Sequence, residues 1–288
     1  MLEKQIDCIV RLHNPERLLE LGRCIFSLVG QTYRPLHVIL AVQRFSKSDL
    51  ESVRHTLAPV LSLPEAPTLE IINWQQPEPR DARTELLNFG LSVCRGQYLG
   101  FLDYDDTLYP EAYQLLVNRL AATQAAIAFA SVRVMNADVY RQFIHVRSQV
   151  TEPPFRGANL RDLFQANFCP IHSYLMDRSK IGTGGLKFDT NLTREEDYDM
   201  LLQVCSAHLS DFGMLGKVIG DYYYKADGSN SVPHAWQPLG RLSPEYEHVP
   251  AMIEARRRTT AVAPPVQQAL GLAQYKPGLT IRDVLDRH

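Results

Sequence analysis

Apolar residues in the first half of the chain follow two alternating patterns. Short continuous runs rich in β-branched residues are each followed by a longer segment whose apolar positions recur every three or four residues. Continuous apolar runs are typical of strands that are covered on both faces. Four such strand–helix units predict an α/β fold with a mostly parallel sheet. The predicted strands are "IDCIVRLH", "LHVILAVQ", "LEIINW" and "YLGFLDYDD", and the predicted helices are "PERLLELGRCIFSLVGQTY", "KSDLESVRHTLAPVLSL" (with Ser48 or Asp49 as N-cap), "DARTELLNFGLSVC" and "YPEAYQLLVNRLAATQ".

The second half of the chain has a less regular pattern, in which apolar runs are separated by loops that contain proline and glycine. We predict several strands there, one helix with acids in its first turn, and a proline-containing tail with short helical stretches. The strands are "AIAFASVRVM", "VYRQFIHVRS", "HSYLMDRSKIG" (which runs into a turn) and "KVIGDYYYK", and the helix is "REEDYDMLLQVCSAH". The predicted organisation is one α/β domain over residues 1–235 and a C-terminal helical and loop extension over residues 236–288.

The composition is that of an ordinary soluble protein, with 45% apolar and 22% charged residues among 288. A net charge of −2 gives no reason to expect a nucleic-acid partner. No apolar stretch reaches the roughly 18 residues that span a bilayer. The N-terminus carries acids and no long apolar core, so we expect no signal peptide and a cytoplasmic protein. The five cysteines are far apart, which argues against a zinc site or a disulfide framework.

Three carboxylates lie within four positions in "FLDYDDTLYP", directly after the fourth predicted strand. In parallel sheets, ligands bind beyond the carboxyl ends of the strands, so Asp103, Asp105 and Asp106 are expected at a functional site. Two chemistries use such a stretch. Asp103, Asp105 and Thr107 resemble the nucleophile motif of haloacid-dehalogenase-type phosphatases, but those place it on the first strand. Asp-x-Asp-Asp after a buried strand resembles the metal and nucleotide-sugar site of GT-A glycosyltransferases.

Four stretches in the right order resemble family 2 glycosyltransferases over roughly residues 6 to 231. The family has a "(P)-T-Y-N" turn after its first strand, then "S-L-x-x-Q-T-Y" in the following helix. It also has "N-x-G-x-x-x-A-x-G-x-Y-(I/L)-x-x-L-D-x-D-D" and, later, a stretch that ends in Glu-Asp. The corresponding segments here are "RLHN" (Arg11 to Asn14), "SLVGQTY", "NFGLSVCRGQYLGFLDYDD" and "GGLKFDTNLTREEDYDMLLQV". The resemblance implies a GT-A (nucleotide-diphospho-sugar transferase) fold, with a Rossmann-like mixed sheet flanked by helices.

The resemblance also implies a reaction, namely metal-dependent, inverting transfer of a sugar from a nucleotide-diphosphate donor to an acceptor hydroxyl. A UDP-sugar is the family's default donor, and polysaccharide or glycoconjugate synthesis is its usual setting. Mn²⁺ or Mg²⁺ would offset the charge of the departing diphosphate. Asp103 then contacts the ribose or a metal-bound water, and Asp105 ligates the metal. Asp106 is either a ligand under a one-residue shift or the N-cap of the helix near Pro110.

The expected general base lies in "REEDYD". The resemblance assigns that role to Asp197, with Glu196 beside it, and adjacent acids favour a raised pKa through repulsion of like charges. The alternative is that these acids only stabilise a helix N-terminus through the helix dipole.

Further donor-binding residues follow from the resemblance, with two departures from the family pattern. "QRFS" replaces "D-D-x-S", so Gln43 stands where the family has a base-recognising Asp. In "YYYKADGSNS", Lys225 stands at an Arg position, and Asp227 replaces a His that ligates the metal; His234 is another candidate ligand. His172 either lines the acceptor cleft or is structural. The predicted donor-binding set is Leu12, His13, Asn14, Gln43, Arg80, Arg83, Asp103 and Lys225, and the predicted metal ligands are Asp103, Asp105, Asp106 and Asp227.

The expected partners are a nucleotide-sugar donor and an unidentified acceptor, which is a glycan, a lipid-linked molecule or a small molecule. The tail contains "IEARRRTT" together with scattered apolar residues. It is expected to pack on the catalytic domain or a second subunit, or else to bind the inner membrane surface. A non-catalytic nucleotide-sugar-binding protein on the same fold is the second interpretation.

Overall fold

The computed structural model describes residues 3–152, 155–182, 184–192, 194–225, 247–272 and 274–287. In these ranges the strands are β1 Glu3–Leu12, β2 Leu36–Gln43, β3 Thr68–Trp74, β4 Gly96–Asp103, β5 Thr107–Leu108, β6 Ile127–Val139, β7 Ile144–Gln149, β8 Tyr174–Asp177 and β9 Ser210–Lys225. The helices are α1 Leu18–Val29, α2 Lys47–Leu61, α3 Arg83–Val93, α4 Ala112–Ala122, α5 Leu160–Gln165, α6 Arg178–Ile181, α7 Glu196–Ala207, α8 Val249–Thr259, α9 Pro264–Ala269 and α10 Ile281–Leu285.

All of these strands belong to one mixed sheet. Its order is β3-β2-β1-β4-β8-β6-β9-β5. Strand β7 pairs with the last residues of β6, whereas β8 pairs with the first. The first four strand–helix units form the parallel part, in which β1 lies between β2 and β4. Strand β8 is antiparallel to both β4 and β6, which makes the sheet mixed. The predicted α/β architecture with a mixed sheet and flanking helices is therefore observed.

The core lies on both faces of the sheet, because successive residues of a strand point to opposite sides. On β1, Ile9 joins one apolar cluster, whereas Cys8 and Val10 join the other. Helices α1 and α2 cover the second cluster with residues such as Leu21 and Val53. Helices α3 and α7 cover the first. Continuous apolar strands are thus explained by helices on both sides.

The N-cap of α2 is Ser46, so the prediction of Ser48 or Asp49 was wrong. The Ser46 hydroxyl accepts a hydrogen bond from the Asp49 N–H at 3.2 Å, and the Asp49 carboxylate accepts one from the Ser46 N–H at 2.9 Å. This reciprocal arrangement is a capping box with Asp in place of the usual Glu or Gln.

The second half differs from the prediction in where its elements begin and end. The segment "VYRQFIHVRS" was predicted as one strand, but it contains the end of β6, a tight turn and most of β7. The turn is closed by a hydrogen bond from the Tyr140 N–H to the Phe143 carbonyl at 2.9 Å. The short elements β5 and α5 were not predicted, since two and six residues are too few for a clear period.

The described tail packs on the cluster that α7 also covers. Val249, Ile253, Val266, Ile281 and Val284 are each at most 5% exposed and belong to that cluster. The predicted boundary between residues 235 and 236 lies outside the described residues, so the division into domains stays a prediction.

The three consecutive arginines of the tail are engaged within the protein. Arg256 is paired with Asp199 at 2.6 Å, and Arg257 donates to the Phe164 carbonyl at 2.9 Å. Arg258 is paired with Glu254 at 2.8 Å. Within the described ranges, no helix is long and apolar enough to cross a membrane.

Candidate active site

The predicted carboxylates meet at a cavity of about 170 Å³ at the carboxyl ends of β1 and β4. Parallel pairing places Arg11 of β1 opposite Asp103 of β4, so both side chains lie on the same side of the sheet. The N-terminus of α7 closes the cavity from the other side. Its lining includes Arg11, Asp103, Asp105, His172, Glu196 and Asp197.

Asp103 is bound by Arg11 through both carboxylate oxygens. Arg11 Nε donates to Oδ1 at 2.6 Å and Nη2 donates to Oδ2 at 3.2 Å. Burial alone would raise the pKa of Asp103, but the Arg11 charge outweighs it and lowers this pKa. Asp103 is therefore ionised at neutral pH, and its oxygens are already engaged.

Asp105 is paired with Lys225, at the end of β9. Lys225 Nζ lies 2.7 Å from Asp105 Oδ2 and 3.3 Å from Glu20 Oε1. The Lys225 side chain is only 2% exposed, whereas that of Asp105 is 20% exposed. Burial lowers the pKa of Lys225, but Asp105 and its other neighbours outweigh burial and raise it. The ammonium group is therefore a permanent counter-charge for Asp105, and its predicted contact with the donor stays a prediction.

Asp106 also lines the cavity, although it is only 3% exposed. Its Oδ1 accepts a hydrogen bond from the Tyr223 N–H at 2.8 Å, and Oδ2 lies 3.3 Å from His172 Nδ1. Burial, followed by the charge of Asp105, raises the pKa of Asp106. Asp106 does not cap α4, because Glu111 occupies the N-cap position. The N-cap alternative for Asp106 was therefore wrong.

His172 lies at the wall of the cavity, and its ring is parallel to that of Tyr222 with 6.3 Å between centroids. Burial lowers the pKa of His172 to about 4, so the imidazole is neutral at pH 7. His172 is thus both buried and adjacent to the cavity, and neither ring nitrogen has a hydrogen-bond partner among the described residues, as a structural histidine would. A place in an acceptor cleft stays a prediction for it.

Asp197 and Glu196 occupy the first turn of α7. Glu196 Oε1 accepts a hydrogen bond from Arg11 Nη1 at 2.5 Å. Asp197 lines the cavity and accepts a hydrogen bond from the Tyr198 N–H at 2.8 Å. Burial, followed by the charges of Glu196 and Glu195, raises the pKa of Asp197 well above its usual range. A carboxylate with a raised pKa at a cavity is what a general base requires.

The predicted turn residues occupy different environments. Leu12 is fully buried in the core, so its side chain cannot contact a donor. His13 lines the cavity. Asn14 forms a local turn by accepting a hydrogen bond from the Glu16 N–H at 2.9 Å. Arg83 also lines the cavity and is paired with Asp81 at 2.7 Å.

Gln43 organises the main chain before α3. Its amide donates to the Arg80 carbonyl at 2.7 Å and accepts from the Ala82 N–H at 3.0 Å. Its neighbour Arg44 donates to the Gln76 carbonyl at 2.5 Å. These contacts explain what "QRFS" does in the fold, whereas nucleotide recognition by Gln43 and the exposed Arg80 stays a prediction. Asp227 and His234 lie outside the described residues.

Arg11 and Glu20 were not among the predicted site residues. Arg11 lies one residue before the end of the apolar strand β1, where a charged residue is a signal of a site at the sheet edge. Glu20 is a 2% exposed acid in α1, and only the fold brings it to Lys225.

The fit of these residues to a divalent cation rests mainly on Asp105. Among the residues that the structure describes, no three His, Cys, Asp or Glu side chains are grouped as a metal site. Mg²⁺ and similar ions are, however, often bound by one or two carboxylates together with substrate phosphates. Asp105 lines the cavity and fits that arrangement, whereas both oxygens of Asp103 already accept hydrogen bonds from Arg11.

Comparison with known proteins defines the class. The glycosyl transferase family 2 model matches residues 8–184, which is more than half of the chain. The chain belongs to glycosyl transferase family 2, as the sequence predicted. The phosphatase interpretation was wrong, and its motif lies after the fourth strand rather than the first.

One curated relative matches part of the chain. The succinoglycan biosynthesis protein ExoO of Rhizobium meliloti (strain 1021) is 29% identical over 120 residues, which are 40% of this chain and 34% of that protein. The chain thus spans about a third of the length of the curated relative it matches.

Solved structures confirm the fold. S. aureus TarS 1-349 in complex with UDP-GlcNAc has a TM-score of 0.60 at 12% identity, covering 93% of this chain and 70% of that one. The complex of the same protein with UDP has a TM-score of 0.56 at 12% identity, with the same coverage. The predicted GT-A fold is therefore confirmed.

Proposed function

We propose that this glycosyltransferase moves a sugar from a UDP-sugar to an acceptor hydroxyl with inversion, using Asp197 as the general base. The observation that carries the proposal is the placement of Asp197 and Asp105 on one cavity at the end of the sheet. Asp197 belongs to the α7 side and Asp105 to the sheet side. Such an arrangement suits an acceptor and a diphosphate on opposite sides of the sugar.

Two arginines that a diphosphate can bind line the cavity, Arg83 at the start of α3 and Arg194 next to the N-cap of α7. The ammonium group of Lys225 is held on Asp105. Guanidinium and ammonium groups bind phosphates through charge-assisted hydrogen bonds. The TarS structures, which hold UDP-GlcNAc and UDP, support a uridine nucleotide.

A divalent cation, Mn²⁺ or Mg²⁺, would be held by Asp105 together with the donor phosphates. It would supply positive charge for the diphosphate as that group leaves. Asp103, Asp106 and Asp227 stay predicted ligands. In the described arrangement, Asp103 instead holds Arg11 in place.

The proton balance of the proposed step is simple. The acceptor oxygen bonds to the anomeric carbon, the bond from that carbon to the UDP oxygen breaks, and the hydroxyl proton moves to Asp197. Because the pKa of Asp197 is raised, its carboxylate accepts a proton more readily than an ordinary Asp does.

The acceptor is proposed to be a glycan or a lipid-linked glycan. The similarity to the succinoglycan biosynthesis protein ExoO supports polysaccharide or glycoconjugate synthesis. A cytoplasmic location, contact with the inner membrane surface and a homodimer are further parts of this proposal.

A second candidate function is donor binding without catalysis. The observation in its favour is that Asp103 and Asp105 are both engaged by internal cations. A non-catalytic protein would bind the nucleotide without turnover.

Two measurements on the wild-type protein test the proposal. A thermal-shift screen with UDP, GDP, dTDP and CDP, each with and without Mn²⁺, should show the largest stabilisation for UDP with Mn²⁺. Incubation with UDP-GlcNAc, UDP-Glc and UDP-Gal should then release UDP, with water or an added glycan as acceptor. Stabilisation by UDP without release from any donor would favour the non-catalytic protein, and stabilisation by another nucleotide would overturn the uridine assignment.

A further inference from the structure

Arg11 joins two groups that belong to opposite sides of the cavity. Its Nε and Nη2 donate to the two oxygens of Asp103, at 2.6 Å and 3.2 Å. Its Nη1 donates to Glu196 Oε1 at 2.5 Å. Asp103 ends β4, whereas Glu196 begins α7. One guanidinium therefore ties the donor end of the sheet to the helix that carries Asp197.

The orientation of Arg11 is defined by the geometry of its hydrogen bonds, and its contact with Glu196 is largely shielded from solvent. The guanidinium group is planar and presents its donors in a fixed fork, so two oxygens of one carboxylate and one of another define its orientation. The side chains of Arg11 and Glu196 are 13% and 6% exposed. Removing one partner of a buried charge pair leaves the other charge uncompensated. Without Arg11, the Glu196 carboxylate would thus lose the contact that ties the start of α7 to the end of β4.

Helix α7 depends on such contacts at its start. Its N-cap position is Glu195, which has a φ of 58° and makes no side-chain capping bond. The first turn contains three acids, of which Asp199 is held by Arg256 at 2.6 Å and Glu196 by Arg11. Asp197 lies between these two anchored residues. Together with the hydrogen bond from the Tyr198 N–H to Asp197, these two ion pairs help to fix the position of Asp197.

We propose that Arg11 is a positioning residue that sets the distance between Asp197 and the donor at the end of the sheet. The inference rests on the proposed function, since it concerns the step in which Asp197 accepts the proton. A displacement of about 1 Å at a reacting group can reduce the rate roughly 10²-fold without weakening ground-state binding. Loss of Arg11 should therefore lower kcat by a larger factor than it raises the KM for the donor.

The experiment compares Arg11→Met and Arg11→Lys with the matched control Arg119→Met. Arg119 also binds both oxygens of one carboxylate, that of Asp211, at 3.1 Å and 2.6 Å, and it does not line the cavity. UDP release from UDP-GlcNAc with Mn²⁺ gives kcat and KM for each protein. We expect kcat to fall about 10²-fold in Arg11→Met, to recover in part in Arg11→Lys, and to stay at the wild-type value in Arg119→Met.

A double variant tests whether Arg11 acts through Glu196. If it does, Arg11→Met combined with Glu196→Gln should lower kcat no further than the more severe single variant. Additive losses, a rise in donor KM that matches the fall in kcat, or an equal loss in Arg119→Met would each overturn the proposal. If Arg11→Met does not fold, Arg11→Lys and Arg11→Gln provide the same comparison.

The failure of this inference and the failure of the proposed function have different signatures. Absence of UDP release by the wild-type protein refutes the proposed function, and with it any role of Arg11 in that reaction. Wild-type release with unchanged kcat in Arg11→Met refutes only the positioning role.

Discussion

Two aspartates of the cavity lie in different electrostatic surroundings. On the sheet side, Asp103 is bound by the Arg11 guanidinium through both carboxylate oxygens. On the helix side, Asp197 follows two other acids, and their charges add to the effect of burial. Counter-charges favour the ionised form, whereas burial and clustering favour the protonated form. The pKa of Asp103 is thereby lowered and that of Asp197 raised, a difference that suits the charge recognition and the proton transfer proposed for them.

The substitution Asp197→Asn should have the largest effect on activity. Asparagine keeps the shape of the side chain but cannot take the acceptor's proton, so turnover should fall by roughly 10²- to 10⁴-fold. Affinity for UDP with Mn²⁺, measured by calorimetry, should be unchanged. Equal losses in turnover and in affinity would show that Asp197 has no separate role on the acceptor side.

The substitution Lys225→Met should have the largest effect on stability. It would leave Asp105 and the buried Glu20 without their shared cation, and breaking a buried pair typically costs about 3–5 kcal/mol. The matched control is Arg147→Met, which removes an exposed ion pair with Asp138 and should cost at most about 1 kcal/mol. Urea unfolding measures both free energies. Similar losses in the two variants would contradict the distinction between paired acids in the core and on the surface.

The substitution Asp105→Ala should abolish the strengthening of UDP binding by Mn²⁺. Asp105 is the carboxylate that faces both the cavity and the proposed diphosphate site. Titration of UDP with and without Mn²⁺, in the wild-type protein and in the variant, measures this strengthening. Undiminished strengthening in the variant would assign the cation to other ligands.

The pH dependence of kcat should reflect the pKa of Asp197, on the helix side of the cavity. A base must be deprotonated, so kcat should fall as the pH drops through the raised pKa of Asp197, well above the usual Asp value of about 3.9. Glu196→Gln removes a neighbouring negative charge and should move this acidic limb to lower pH, by roughly one unit. The control Asp49→Asn changes an acid in the first turn of α2 and should leave the profile unchanged. If the acidic limb does not move in Glu196→Gln, the pH profile does not depend on the interaction between Asp197 and Glu196.

The sequence predicted the parallel half well because each of its signals is local. Strands β1 to β4 and helices α1 to α4 follow from apolar runs, helical periodicity and turn residues within a few positions of each other. The motif order located the acidic residues at the end of β4 and at the start of α7. Where the pattern failed, as in the turn between β6 and β7, the segment has little buried apolar surface to mark its period.

The partners of the acidic residues required the tertiary structure. The sequence named Asp103, Asp105, Asp106 and Asp197 but left the functions of Asp106 and His172 open. Arg11 and Glu196 are 185 positions apart, and Lys225 and Glu20 are 205 positions apart. No short-range pattern relates such residues.

What the sequence determined by itself is the class of fold, the family and the strand ends at which carboxylates gather, because periodicity and motif spacing are properties of neighbouring residues. The tertiary structure decided which cation faces which carboxylate, that Gln43 holds the main chain before α3, and that the tail's arginines are paired internally. An ion pair forms only where two side chains come within about 4 Å, and its strength depends on how far water is excluded. Both conditions are set by the packing of distant elements, and through them the fold lowers the pKa of Asp103 and raises that of Asp197.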